Sequence, residues 1–509
     1  MKLKSALEIK QLFSSDQEVA FIDIREAAQY GAGHPFFVSH VPYSILESRI
    51  LEFVPCFKTI MVLIDDNDGV AHKAADHLEN MGYDNILIVD GGIAAWKAAG
   101  FTLYEGISAP SKSFGEVVEH ALETPSITAI ELKERMDKGD QFILLDGRTP
   151  AEYMKMTIPG SRSCPNAELS LRYSEMVKNS DIDIIINCAG RTRSLIGAQT
   201  LRTLGISNKV YALENGTMGW KLAGFELEYD AKRMYPEHLS KDVLDKAHHK
   251  AQQLRDQYAI DVIDQQTLED WQKKSDHTTY LFDVRTLEEF EQGHVKNARH
   301  APGGQLVQAT DQWFATRNGR IVLYDNHQIR AVMTAIWLKG MGHDAVILHH
   351  CDLIQESPDQ KRFSETTIIN ADEMAQKIQT GASLLDVRSS QNYRDGHIEG
   401  AKWGVRPRLT GGQDIIIIAD NIIVADLVAK DIGNDALIYL GDVDQWNAIG
   451  LKVISTPNHP PDAERIDFLF HTHDRHSGNM AAAREYLRWE TGLVDQMDDQ
   501  ERATLKPLL

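Results

Sequence analysis

An apolar run closed by Asp-x-Arg occurs four times in this chain, and that repetition constrains the fold more than any other feature. The four endings lie at residues 21–25, 144–148, 281–285 and 384–388. Each precedes a short polar stretch with helical character and then a turn: Gly33-His34, Ile158-Pro159-Gly160, Gly293-His294-Val295 and Gly396-His397-Ile398. A second apolar run follows at 60–64, 182–186, 321–324 and 415–418. The distance from the aspartate to the residue after that run is 42 positions in three copies (Asp23 to Asp65, Asp146 to Cys188, Asp283 to Asp325) and 34 from Asp386 to Asp420. Gly91-Gly92 then leads to Trp96, Asn215-Gly216 to Trp220 and Gly441 to Trp446, whereas the third copy has His349-His350-Cys351. Continuous apolar strands alternating with helical patterns predict an α/β fold, with small parallel sheets flanked by helices. The copies are drawn at 1–108, 124–232, 259–357 and 366–457, with a helical tail over 458–509. Residues 110–116 read as a linker, and 235–258 as a connecting helix.

The copies differ most where the second apolar run ends. In the second copy it runs into Asn187-Cys188-Ala189-Gly190-Arg191-Thr192-Arg193-Ser194. A thiol there sits at a strand end, in a tight loop, before a helix. Loop amides and the helix N-terminus face the sulfur, and Arg191 and Arg193 add two cations. Those features favour the nucleophilic thiolate. The other loops carry Asp65 or Asp66, Asp325 and Asp420 at this place. Asp146 and Arg148 belong to the motif that all four copies share, with or without a cysteine, so they read as structural support.

The 509 residues carry a formal charge of −21, which argues against nucleic acid or an anionic membrane as the partner. Any anionic substrate must therefore be caught by local cations. Cys56, Cys164, Cys188 and Cys351 are too few and scattered for a disulfide framework, which points to a reducing, cytoplasmic compartment. There is no run long enough for a membrane span and no secretory signal pattern.

Taken together, the Asp-x-Arg strand end, the Gly-His-Ile-x-Gly-Ala turn over 396–401, the cysteine loop and the Gly-Gly-x-x-x-Trp turn resemble the rhodanese family, as four tandem rhodanese-like domains. The resemblance implies a sulfurtransferase whose nucleophile is Cys188, with Ala189, Gly190, Arg191, Thr192, Arg193 and Ser194 as the substrate cradle. It implies a double displacement through a Cys188 persulfide, with no metal or organic cofactor. The expected donor is thiosulfate or a related small anionic persulfide source. The expected acceptor is cyanide, a thiol or a thioredoxin-like protein. Copies 1, 3 and 4 lack the sulfur and are expected to be non-catalytic, serving as scaffold, oligomer contact or access control. A 3-mercaptopyruvate donor and a persulfide carrier or sensor are the alternatives. A phosphatase of this fold would need Cys-x5-Arg, and here position 194 is serine.

Other signals are weaker. His471, His473 and His476 are spaced like metal ligands, but read better as a solvated cap before a helix at 481–492. The segment 474–479 is a candidate to dock back, with Arg475 joining the anion site. Lys112 reads as linker, and Cys164 as a packed cysteine rather than a resolving thiol.

Overall fold

The computed structural model describes residues 1–355, 366–433 and 436–508. The expected boundary at 357 and the last residue, Leu509, lie outside them. Four main sheets form, one per repeat, each with a parallel core. In the second, the order is Ser126–Ile127, Val210–Leu213, Asp183–Asn187, Phe142–Asp146, Arg162–Ser163. Its central strands are buried on both faces, which is why their sequence reads as unbroken Ile and Leu.

The Asp-x-Arg motif closes the central strand of every sheet with the same bracket. Arg148 Nε and Nη2 donate to Asp146 Oδ1 and Oδ2 at 2.9 and 2.7 Å, and Nη2 also donates to the carbonyl of Met156 at 2.5 Å. Arg25, Arg285 and Arg388 repeat this on Asp23, Asp283 and Asp386, each reaching the carbonyl eight positions on. All four aspartates are fully buried. The Gly-His turn is structural too. His34, His294 and His397 stack on the aromatic ring four positions earlier, with centroids 3.7 to 4.2 Å apart. The second repeat has Thr157 instead, and its hydroxyl donates to Asp146 Oδ2 at 2.7 Å.

Strand register fixes which residues correspond. Asp146 pairs with Asn187, Asp23 with Ile64 and Asp283 with Tyr324, so Cys188, Asp65 and Asp325 are equivalent. In the fourth repeat Asp386 pairs with Ile418, which puts Ala419 in that place and moves Asp420 one position past it. The expected Asp420 equivalence is thereby corrected: here the strand continues through Ala419, and Asp420 lies one position beyond the place of Cys188.

The repeats are not strung out singly. Strand Thr316–Arg317 of the third copy pairs antiparallel with Val19–Asp23 of the first. Arg330 of the third joins Glu168 of the second, and Arg406 of the fourth joins Glu47 of the first. The predicted linker is helix Ala109–Leu122, with Ser111 to Glu116 buried. Its register explains the misreading: proline stands in the first turn, where no amide is needed, and the small polar residues face other helices.

Candidate active site

Strand Asp183–Asn187 delivers Cys188 to the floor of a cavity of about 300 Å³. Helix Thr192–Thr203 starts four residues later. Behind the loop, Gly216 has φ +51° and packs so close that a Cβ there would lie 2.2 Å from the Cys188 carbonyl oxygen. That approach lets the amides of Thr217 and Met218 donate to the carbonyls of Cys188 and Ala189 at 2.8 and 3.0 Å. Gly92 makes the same approach to Asp65. The Gly-x-x-x-Trp turn thus braces the loop, while Trp220 anchors it in the core.

Cys188 is 2% exposed but lines the cavity together with Ala189, Gly190, Arg191, Thr192 and Arg193. Its thiol lies 3.5 Å from Ser194 Oγ, which donates to the Arg191 carbonyl at 2.8 Å. The equivalent carboxylates show what the loop holds in other copies. Asp325 accepts the amides of His327 and Arg330 at 3.1 and 2.9 Å, and Asp65 those of Asn67 and Ala71 at 2.9 Å each. Gly190 and Arg193 occupy the register of His327 and Arg330. At the register of Cys188, the loops of repeats 1 and 3 thus hold a carboxylate on backbone amides.

Both loop arginines are engaged. Arg193 Nη1 and Nη2 donate to Glu152 at 2.7 and 2.8 Å. Arg330 makes the equivalent pair with Glu289 and adds a 2.7 Å bond to Asp325. Burial works against the Arg193 charge, but Glu152 and then Cys188 hold its pKa above the ordinary range. Arg191 turns away, to Glu116 at 2.8 Å and to Glu119, both on the predicted linker. Thr192 gives its amide and hydroxyl to Glu490 Oε1, at 3.3 and 2.6 Å. So five of the six expected cradle residues line the cavity, with Ser194 buried behind them on the Arg191 and Leu213 carbonyls, and the two cations are already paired.

Three further parts of the chain complete the cavity. Lys112 comes from the interrepeat helix, Gln305 and Trp313 from the third repeat, and Arg475, His476, Tyr486 and Glu490 from the tail. Tail helix Met480–Thr491 presses on the loop so closely that a Cβ on Gly190 would meet Glu490 Oε2 at 2.9 Å. Glu490 and Tyr486 carried no local signal: only the docking of a segment almost 300 residues downstream gives them a place. His471, His473 and His476 do not converge: His471 packs edge-on to Trp489, and among the described residues no His/Cys/Asp/Glu cluster is arranged to hold a metal. Cys164 is fully buried outside the cavity, and burial pushes its thiol well above the usual range.

A rhodanese-like domain family model matches residues 5–99, 128–223 and 264–350, more than half of the chain. The chain belongs to the rhodanese family. A crystal structure of thiosulfate sulfurtransferase from Pseudomonas aeruginosa is similar over all of both chains, with 34% identity and a TM-score of 0.89. Among curated proteins, a sulfurtransferase of Allochromatium vinosum is 30% identical over 101 residues, 20% of this chain and 92% of that protein. The HTH-type transcriptional regulator Rv0324 of Mycobacterium tuberculosis is 31% identical over 106 residues, 21% of this chain and 46% of that protein. The chain spans about half the length of two of the curated relatives it matches. The rhodanese match covers three repeats; the fourth sheet shares the Asp-x-Arg bracket. No helix among the described residues is long and apolar enough to cross a membrane.

Proposed function

We propose that this rhodanese is a thiosulfate sulfurtransferase that works through a persulfide on Cys188. The observation that carries the reading is a single thiol lining the cavity, at the register where the loops of repeats 1 and 3 hold carboxylates on backbone amides. Full-length similarity to the Pseudomonas aeruginosa thiosulfate sulfurtransferase supports the donor.

The Cys188 thiolate attacks the outer sulfur of thiosulfate. An S–S bond forms to Cys188, the S–S bond of the donor breaks, and sulfite leaves with the electron pair. Amides at Gly190 and Arg193 stabilise the charge on the resulting persulfide, and the Arg193 guanidinium compensates it. Cyanide then takes the outer sulfur as thiocyanate and returns the thiolate; a cellular thiol takes it as a persulfide. Double displacement needs only one open cavity, since sulfite leaves before the acceptor enters. Repeats 1, 3 and 4 have aspartate, aspartate and alanine at this register and cannot form the persulfide. The first repeat's Ser108 and the third repeat's Gln305 and Trp313 wall part of the cavity, whereas none of the described residues of the fourth repeat lines it.

Mass spectrometry after mixing with thiosulfate tests the reading. A gain of about 32 daltons, one sulfur atom, is expected on the Cys188 peptide, and Cys188→Ser should abolish both adduct and turnover. Turnover by Cys188→Ser overturns the assignment. Single loading without repeated thiocyanate release makes the protein a sulfur carrier instead.

A further inference from the structure

The cations of the cradle leave a question about the donor. Thiosulfate brings three sulfonate oxygens, and Arg191 and Arg193 are each held by carboxylates on the protein. Lys112, the next cation on the wall, faces Glu490 at 3.7 Å and lies over the Tyr486 and Trp489 rings. Of the basic tail residues, His476 is held down to about 4 by burial and by Arg475 and Arg148, and so is neutral. Arg475 differs from all of these. Among the described residues it pairs with no carboxylate; its guanidinium lies over the Tyr486 ring at 4.6 Å, and its buried Nε has no hydrogen-bond partner. It lines the same cavity as Cys188. A guanidinium with unspent donors on the wall of a cavity that also holds a nucleophile is a fork for an oxyanion.

We propose that Arg475, delivered by the tail and belonging to no repeat, binds the sulfonate of the donor and makes Cys188 selective for oxyanion donors such as thiosulfate over persulfides whose leaving group is uncharged by oxygen. The proposal rests on the sulfurtransferase reading above. The turn over residues 471–479 places the side chain: the Arg475 amide donates to the Thr472 carbonyl at 3.2 Å, and the Ser477 amide to that of Asp474 at 2.8 Å. Helix Met480–Thr491 then pins the turn to the Cys188 loop through Glu490. The tail therefore acts as the oxyanion-reading wall of a site whose nucleophile lies in the second repeat.

Arg475→Gln and Arg475→Lys test this with three readouts in the full-length protein. With thiosulfate, Arg475→Gln should raise KM roughly 10- to 100-fold, as expected for a lost charge-assisted contact, with kcat within about twofold. Arg475→Lys should recover part of that loss. With 2-mercaptoethanol persulfide as donor, both variants should load Cys188 at the wild-type rate, which a merely structural defect would not allow. Third, iodoacetamide alkylation of Cys188 should be slowed by sulfite in the wild type and much less in Arg475→Gln. A thiosulfate KM within twofold of wild type, or equal slowing of both donors, overturns the proposal. If wild type never forms a Cys188 persulfide, the sulfurtransferase reading fails, while sulfite protection still decides whether Arg475 binds an oxyanion.

Discussion

At the scale of single residues, the Cys188 loop is a set of charges balanced in pairs. Glu152 is the instructive one. Burial opposes its charge, but hydrogen bonds and charge from Arg193, helped by Thr149, hold its pKa at about 2, against 4.5 for a free glutamate. Because the folded value lies below the unfolded one, this pair stabilises the fold above pH 4.5 and loses that contribution as pH falls from about 4.5 towards 2. Glu289, on Arg330, behaves alike. Acid titration of stability in Glu152→Gln should therefore show a shallower fall in that window than in the wild type; an identical slope would mean that the pair does not titrate with unfolding. The sequence made the nucleophile legible, since thiol, glycine and two arginines lie within one short segment. It could not show that both arginines are spent, because Glu116, Glu119 and Glu152 reach them from other elements.

At the scale of elements, the same bracket recurs in every sheet: a buried Asp–Arg pair tying a strand end to a turn eight residues on. Removing one partner strands the other in the interior. Arg285→Ala, in a repeat without a cysteine, should cost about 3–5 kcal/mol of stability, read from denaturant unfolding. A loss under about 1 kcal/mol would mean that Asp283 finds water or another donor. This layer was almost wholly legible, because parallel strands buried on both faces write themselves as apolar runs and the bracket repeats its letters. Two misreadings have physical causes. Residues 110–116 looked like linker since their proline and serines suit a helix start that packs by small side chains. Asp420 looked equivalent to Cys188 since the contraction in the fourth copy is invisible without strand pairing.

For the whole molecule, the cavity above Cys188 belongs to no single repeat. Trp313 closes part of it from the third copy, 125 positions beyond the nucleophile in sequence. Trp313→Ala should therefore change kcat/KM for thiosulfate by roughly threefold or more while Cys188 stays intact, since small displacements of bound reactants are costly. Unchanged kcat/KM would confine the site to the second repeat and the tail. Of this assembly the sequence offered only the docking of 474–479, with Arg475 at the anion site; the rest was not legible, because contacts between repeats rest on surfaces that have no period of their own. The pairing of Thr316–Arg317 with Val19–Asp23 carries one more consequence. As the nascent chain leaves the ribosome, the first unit must wait for some three hundred residues of later chain before its border strand gains that neighbour. Until then Val19 and Ala20 offer bare peptide groups beyond the stretch that Ser39–His40 already covers, a short open edge at which a passing chain can pair during synthesis.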